Sequence, residues 1–566
     1  MSRTSFAATQ YRRMLVSTMT LAVVTFVLSV LDTVFAGHLF GETALAGVNL
    51  VMPVGILVLF VSNMIAFGAS ISRVFAVGRC DRARMDSCCS TGLWAALAAG
   101  AVLAALFAFR GTYFRAMGVT GDALVAADAY CRGFWLVALV QPLDLLVSAL
   151  VLSDGGHRHS RAGLIANVLA KGALSLPFAR WFGLAGLAYA TAAGFAVQLG
   201  VLAFYLRTKP CTLRFFGGFS FSTFLSGVRF SVTDQFDQFG DMFVMLVVNA
   251  FVVAVFGEKT LPVVSAFSTV SLFGNVAEAT QNAVQPVMGV YFGERNFRRV
   301  REIAAYGLRF AALISGVAGA ILFVFPELVL LFIGLDSPEL QASARLAVRL
   351  GAAFLVVRQV ASYADAYFLY IERIGLSLAM TVLDSSLLPA GMGVVLGLLS
   401  GEAGFWTGLA AAPGFVLAGS LVFAYFRYGR AMFPFVVPAD RDAKLFVYDL
   451  ALTEREITEV SEKVKRTLER FGLYKGAAVR APLIVEEALM IVKDRNAGRR
   501  ILAEVTLDLN DGVALTLRDD GEIFNLTDAD AKVSSLRSYL VSSVMSVQSD
   551  KLNLATTGFN RNRFEF

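Results

Sequence analysis

Ionisable side chains stand inside apolar runs at several points of this 566-residue chain, and those are the places where chemistry would sit. Asp32 lies within the run that begins at Met14, Lys171 within 162–181, and Asp237 and Asp241 within 230–256. Glu278, Gln281 and Gln285 form a polar stripe in the run 261–290, and Asp365 and Asp384 fall in two later runs. A charge at the centre of a bilayer costs from about 2.5 kcal/mol upward, so charges that persist there face a cavity or a partner. Buried carboxylates hold and release protons or cations; a buried ammonium pairs with them or competes with a cation for the same place. Asn167 and Lys171 are four residues apart, which puts both on one face of a helix, and the same holds for Asp237 and Asp241, with Asp234 one turn earlier. Two readings stay open for each group. Asp32 faces a cavity or a partner, or is a structural carboxylate at a helix end; Lys171 pairs with a carboxylate or snorkels to the interface near Arg180. The helix seven and eight residues line a cation-accepting cleft, or part of the run is a solvated helix start.

Other chemistry is sparse. His157-Arg158-His159 is a lone pair of histidines in a loop, the pattern of a solvated segment rather than a metal site. The five cysteines, Cys80, Cys88, Cys89, Cys131 and Cys211, show no paired metal spacing and read as free thiols. No G-x-x-x-x-G-K-[ST] segment exists, which excludes a P-loop motor.

The elements that position these residues are membrane helices. The chain is 57% hydrophobic and 16% charged, with a mean hydropathy of +0.66. Apolar runs fall near 14–37, 46–70, 88–109, 124–152, 162–181, 183–206, 230–256, 261–290, 304–333, 343–370, 374–399 and 403–427, each able to span about 30 Å of hydrocarbon. Twelve transmembrane helices in an all-α polytopic fold are expected. The first run follows Arg12 and Arg13 but contains Asp32 and no clear cleavage site, so it reads as a helix rather than a signal sequence. Basic residues crowd alternate connections (Arg79, Arg82 and Arg84; Arg158 and Arg161; Arg295, Arg298, Arg299 and Arg301), which places both termini in the cytoplasm of a cell whose cytoplasmic membrane holds the protein. Residues 1–439 carry 30 Lys+Arg against 22 Asp+Glu, and the remainder 19 against 21. The net charge of +6 therefore belongs to membrane loops, and no nucleic acid is implied.

An internal repeat agrees with the count. Phe40-Gly41-Glu42-Thr43-Ala44-Leu45 returns 216 residues later as Phe256-Gly257-Glu258-Lys259-Thr260-Leu261, and Gly78-Arg79-Cys80-Asp81, at nearly the same distance, as Gly293-Glu294-Arg295-Asn296. Two parallel six-helix halves, 1–215 and 216–432, with a substrate cleft between them are the expected arrangement. Beyond Pro434 and Pro438 the charge density rises, and residues 440–566 read as a separate cytosolic α/β sandwich. Its expected order is a strand at 444–450, helices at 453–471 and 478–496, strands at 501–509 and 513–519, a helix near 530–546 and two final strands.

Asp32-Thr33-Val34-Phe35-Ala36-Gly37, then Leu45-Ala46-Gly47, Gly68 and Gly78, resembles the multidrug and toxic compound extrusion (MATE) transporters. So do Gln285-Pro286 leading into Tyr291-Phe292-Gly293-Glu294-Arg295-Asn296, and Gly183-Leu184-Ala185-Gly186 with Ala190-Thr191. The resemblance covers about residues 10–430. It implies two six-helix lobes and efflux of organic, often cationic compounds driven by proton or Na⁺ entry, with Asp32 as the coupling residue. In the family's N-lobe ion site an Asn-x-x-x-Asp on the fifth helix and a Thr on the sixth complete the set; here the positions are Asn167, Lys171 and Thr191. An ammonium in place of the second carboxylate occupies the place of Na⁺, so proton coupling is expected, with Lys171 paired to Asp32 until protonation or a cationic substrate breaks the pair. Asp237, Asp241, Glu278, Gln281 and Gln285 would line the substrate cavity.

The tail resembles the GHKL-type ATPase domain of anti-sigma-factor kinases. Pro482-Leu483-Ile484-Val485-Glu486-Glu487 is similar to the helix that carries the catalytic Glu, here Glu487, and Asp519-Asp520-Gly521 with Phe524 to the adenine-binding box. Gly558-Phe559-Asn560 resembles the final hairpin. The resemblance assigns nucleotide contacts to Glu487, Asp519 and Gly521. Ile491 stands where that family has its Mg²⁺-binding Asn, and Ser535-Leu536-Arg537-Ser538-Tyr539-Leu540 replaces its Gly-rich lid, so no ATP hydrolysis is expected. The sequence thus points to a proton-coupled exporter of small cationic or amphipathic molecules in the lipid bilayer. It carries no cofactor, is not an enzyme, and has a tail that regulates or binds a cytosolic protein. A flippase for lipid-linked precursors and a membrane sensor signalling through the tail are the alternatives.

Overall fold

The computed structural model describes residues 5–566 apart from 79–81, 118–120, 155, 208–212, 216, 431, 439–443, 473–475, 511 and 523–559. Apolar runs without water for their backbone groups close those groups into helices. In order these are α1 (Phe6–Phe40), α2 (Glu42–Gly78), α3 (Arg82–Leu106), the short α4 (Arg110–Ala116), α5 (Gly121–Ser153), α6 (His157–Phe182) and α7 (Ala185–Leu206). The second half supplies α8 (Phe221–Phe251), α9 (Leu261–Gly293), α10 (Phe297–Val324), α11 (Glu327–Ile333), α12 (Pro338–Tyr370), α13 (Ile374–Val382) and α14 (Leu388–Tyr428). The histidines of His157-Arg158-His159 belong to the first turn of α6 rather than to a loop, and the His159 ring lies 5.2 Å from that of Tyr205.

Among the described residues, 11 helical runs are long and apolar enough to cross a membrane, one fewer than expected. The difference lies in the last run, Ile374–Tyr428, whose 55 residues take in two of the expected spans. Its backbone breaks at Gly401 (φ 68, ψ −149), a conformation that side chains with a Cβ avoid. Gly183, between α6 and α7, has nearly the same angles (φ 61, ψ −144). Three residues on, a Cβ on Gly186 would lie 2.0 Å from the Phe178 carbonyl oxygen, and one on Gly404 2.1 Å from that of Leu396. Both turns fold a helix back onto its predecessor, and only a missing side chain permits the approach. Gly41 (φ 78) and Gly257 (φ 86) form a second matching pair at the repeated Phe-Gly-Glu. The sequence repeat is therefore a repeat of turn geometry.

The chain divides into two compact units. One comprises 19–279 and 310–420. In it α2 and α8 run antiparallel: Asn49 Nδ2 donates to Asn249 Oδ1 (3.1 Å) and Asn63 Nδ2 to Gln238 Oε1 (3.2 Å), while Gly68 and Gly227 meet backbone to backbone. Its core is apolar, with Leu45, Val58, Leu187, Leu261, Phe405 and Trp406 buried.

The other unit comprises 1–18, 280–309 and 421–566. Its soluble part is an antiparallel sheet in the order β1 (Leu445–Ala451), β2 (Leu502–Asp508), β3 (Ala514–Asp519), β4 (Asn560–Glu565). Helices α15 (Glu454–Arg470) and α16 (Ala477–Arg495) share one core with it, in which Ile457, Val464, Leu468, Ile484 and Leu489 are buried with Val505, Leu507, Leu515 and Leu517. Thr453 caps α15 by accepting from the Glu456 N–H. The helix expected near 530–546 lies outside the described residues, as do Phe524, Ser535 to Leu540, Gly558 and Phe559; β4 is the described one of the two final strands.

Filling either helix-closing glycine should be costly. Gly186→Val and Gly404→Val are each expected to destabilise the purified protein by about 2–4 kcal/mol in thermal unfolding. Gly200→Ala, which meets open space, should change stability by less than about 1 kcal/mol. Unchanged unfolding of both valine variants would refute the close approach.

Candidate functional site

Asp32 sits on α1 inside a cage drawn from three other helices. Lys171 Nζ of α6 lies 3.1 Å from Asp32 Oδ1 and also donates to the Leu28 carbonyl oxygen (3.1 Å). The Tyr130 hydroxyl of α5 donates to Asp32 Oδ2 at 2.9 Å, and the Thr191 hydroxyl of α7 lies 3.3 and 3.2 Å from the two oxygens. The side chains of Lys171 and Asp32 are only 4% and 13% exposed. Removing one partner from such a pair leaves a buried charge uncompensated, a cost of about 3–5 kcal/mol. Asn167, one turn from Lys171 on α6, turns to α7 instead, where its Nδ2 donates to Gln198 Oε1 at 2.8 Å. So the structure joins Asp32, Lys171 and Thr191, sets Asn167 beside them in a second polar layer, and adds Tyr130. A tyrosine in an apolar run carries no sequence signal that separates a buried hydroxyl from a packed ring.

In the second half, Asp237 and Asp241 on α8, Glu278 on α9 and Asp384 lie close enough to one another and to Arg358 on α12 to interact electrostatically. Both α8 aspartates are solvent-exposed along their helix, Glu278 is partly buried, and Arg358 Nη1 donates to Ser271 Oγ at 2.7 Å. Asp365 accepts from Ser377 Oγ (2.5 Å) and Thr381 Oγ1 (2.8 Å). Asp384 lies in a π-helical turn, Leu383–Leu387, the kind of irregularity that recurs at functional sites. The side chain of Asp234 is not described. Gln281 is buried on the part of α9 that belongs to the other unit, and the side chain of Gln285 lies outside the described residues. Arg358 escaped the sequence reading, although a basic residue seven positions before Asp365 in an apolar run was a legible signal. Among the described residues no His, Cys, Asp and Glu group has the geometry of a metal site.

The sequence matches the MatE family over residues 18–181 and 236–395, more than half of the chain. The chain belongs to the MatE family. Among solved structures, the inward-facing conformation of a multidrug resistance MATE family transporter of the MOP superfamily superposes with a TM-score of 0.65 at 20% identity, covering 71% of this chain and 94% of that one. A MOP superfamily transporter from Pyrococcus furiosus, described by the reverse polarity of its binding pocket, gives 0.61 at 19% identity, covering 74% and 95%. The outward-facing conformation of a multidrug resistance MATE family transporter gives 0.60 at 20%, covering 74% and 95%. At these identities the structural likeness is one of fold. A search of curated proteins finds no match. As a MatE protein the chain is a multi-pass membrane transporter of small substrates, not an enzyme.

In the MatE chain's tail, the residues singled out for nucleotide are otherwise engaged. Asp519 is buried, and its Oδ1 accepts from Asn560 Nδ2 (2.8 Å) and the Gly521 N–H (3.0 Å). Burial pushes its carboxyl up to about 6, against the pull of those two donors. A Cβ on Gly521 would lie 2.6 Å from Asn496 Nδ2, so side chains fill the ground beside it. Glu487 lies partly buried on α16, and Ile491 points into the apolar core.

The outer face of the sheet carries a row that the sequence reading missed. Asp449, Glu504, Arg518 and Arg561 are successive cross-strand neighbours over all four strands. Arg299, at the start of α10, donates to Glu504 (2.9 Å) and Asp449 (2.6 Å), and the Tyr291 hydroxyl at the end of α9 donates to Glu504 (3.0 Å). Glu294, in the turn between α9 and α10, pairs with Arg518 and with Arg561. The Phe6 N–H that opens α1 donates to Asp449 (3.0 Å), and Arg13 meets Asp520 (3.0 Å). Alternating charges on a strand announce a polar face but not what covers it. Arg299→Ala should leave partly buried Asp449 without its cation and buried Glu504 with Arg518 alone, and cost the docked sheet about 3 kcal/mol. Hydrogen exchange of the 445–451 and 502–508 peptides in the full chain should rise accordingly; unchanged exchange would show that the row holds nothing.

Proposed function

We propose that this MatE protein is a secondary active antiporter that exports small cationic or amphipathic organic compounds, coupled to proton entry. The observation that carries this reading is the buried Lys171–Asp32 pair. With Lys171 in contact, Asp32 is balanced, and the ammonium occupies ground that a Na⁺ would need. A proton arriving on Asp32 removes the charge that holds Lys171, so the contacts that tie α1 to α6 through Asp32 weaken. Tyr130 and Thr191 keep the carboxyl oriented by their hydroxyls in either state. Loss and recovery of the pair thus give the first half two arrangements that a proton selects between, which alternating access requires.

The second half supplies the substrate end. Asp237, Asp241, Glu278 and Asp384 outnumber Arg358, so the wall they form favours a cation; this also weighs against the flippase, whose diphosphate-bearing substrate would want the opposite sign. Gln281 and Gln285 continue the same helix. We read the 374–428 run as two spans folded at Gly401, as α6 and α7 fold at Gly183. This makes twelve helices in halves 1–215 and 216–432, with both termini cytoplasmic in the cell membrane. Residues 440–566 are a GHKL-like domain without ATPase activity, since Asp519 and Gly521 are occupied within the fold and Ile491 offers no oxygen. The ionic row on the sheet supports a regulatory tail that grips the α9–α10 turn, and a cytosolic protein that competes for the row would couple the tail to transport.

Dye-cation efflux from proteoliposomes tests the reading. An imposed pH gradient should drive efflux, an imposed Na⁺ gradient should not, and Asp32→Asn should lower the driven rate by about tenfold or more. Efflux driven by neither gradient in the intact chain would overturn the exporter reading.

A further inference from the structure

We propose that Asp144 is a second proton-holding residue of the first half, placed between the Asp32 cage and the cytoplasmic end of the same helices. The inference rests on the proton-coupled reading above. Asp144 lies on α5, 0% exposed, and neither of its carboxylate oxygens has a hydrogen-bond partner among the described residues. A carboxylate kept only for structure is bonded when buried, because an uncompensated charge costs several kcal/mol. A proton is the smallest cation that removes that cost.

Its level in the fold follows from helix register. Gly133 of α5 lies against Ala185 and Ala188 of α7, and further along the same two helices Tyr205 donates to Asp154 Oδ2 at 3.0 Å, so the pair runs side by side in one direction. Val147 and Val151 cluster with Leu202 and Tyr205. One turn before Val147 stands Asp144, and one turn before Leu202 stands Gln198. Gln198 is the acceptor for Asn167, whose own Oδ1 is buried without a partner among the described residues. Gly194 leaves the room: a Cβ there would lie 2.3 Å from Asn167 Oδ1. Three unsatisfied acceptor atoms on two helices thus lie at about one height in an apolar lobe.

Thr191, Gln198 and Tyr205 are spaced by seven on α7, which keeps them on nearly one face, with about 10 Å between levels. The first level is the Asp32 cage. The last is Tyr205 with the buried pair of Arg73 and Asp154 (2.5 Å), next to the basic α5–α6 connection assigned to the cytoplasm. Asp144 with Asn167 and Gln198 is the middle level. A proton released from Asp32 has a carboxylate to receive it there before it reaches the cytoplasmic end. Charged groups belonging to these levels are Lys171 and Asp32 above and Arg73 and Asp154 below.

Two measurements on the full chain test this. In proteoliposomes, Asp144→Asn should lose pH-gradient-driven dye efflux by about tenfold while keeping dye exchange in the absence of a gradient, and Asp144→Glu should restore driven efflux. The infrared spectrum of the intact chain should show a protonated-carboxyl band, shifted in D₂O, that is missing in Asp144→Asn. Retained exchange shows that the variant is folded. Driven efflux at the intact rate in Asp144→Asn, or a carboxyl band unaltered by that change, would overturn the assignment. If the intact chain shows no driven efflux at all, the transport reading fails separately, and the infrared band still decides whether Asp144 holds a proton.

Discussion

Two opposite charges inside an apolar lobe cannot be kept apart, and the Asp32–Lys171 contact is where this chain meets that constraint. The pair draws α1 and α6 together, Tyr130 and Thr191 add α5 and α7, and the Leu28 carbonyl takes another of the ammonium protons. Four helices are therefore held by one cluster of largely buried polar groups. Such a cluster is stable while its charges balance, and it is sensitive to anything that changes one of them. In the proposed antiport, a proton, or a cation able to replace the ammonium, is the trigger.

The two halves share their turns and differ in their charges. Gly41 and Gly257, and Gly183 and Gly401, place equivalent bends in equivalent places, so the scaffold is duplicated. Upon it the first half pairs Asp32 with Lys171 and Asp154 with Arg73 and leaves Asp144 without a hydrogen-bond partner among the described residues, whereas the second gathers several acids around Arg358. In the proposed antiport the shared frame divides the work: the first half responds to the proton and the second attracts a cation. The sheet that grips Glu294 and Arg299 adds a third element, a folded domain attached to the connection between two membrane helices rather than hanging free from the last one.

Hydropathy made the helices legible because a run of some twenty apolar residues has few other fates. It separated the last two spans at 400–402, where the structure has one helical run that bends at Gly401; the likeness of Gly401-Glu402-Ala403-Gly404 to Gly183-Leu184-Ala185-Gly186 was the available sign of that bend. Lys171 and Asp32 are far apart in sequence, and their meeting was suggested by the resemblance, in which Lys171 stands at the place of the ion site's second carboxylate. Tyr130 could not be found that way, because a hydroxyl pays little for its place. In the described part of the tail, strand and helix positions followed from periodicity, and Ile491, singled out because it replaces the resemblance's Mg²⁺-binding Asn, lies in the apolar core. Glu504 and Arg518 pair with each other across the sheet, but the row's other partners, Arg299, Tyr291 and Glu294, lie more than a hundred residues away, where no local pattern reaches.

The central claim is that Lys171 stands in for a bound cation beside Asp32. Thermal unfolding of the purified protein with increasing Na⁺ at constant ionic strength, for the intact chain and for Lys171→Asp, tests it most directly. Stabilisation by Na⁺ of Lys171→Asp alone is the predicted result, since ligand binding raises stability only where a site exists. Equal stabilisation of the intact chain would mean that a cation site coexists with Lys171, and the account would be wrong.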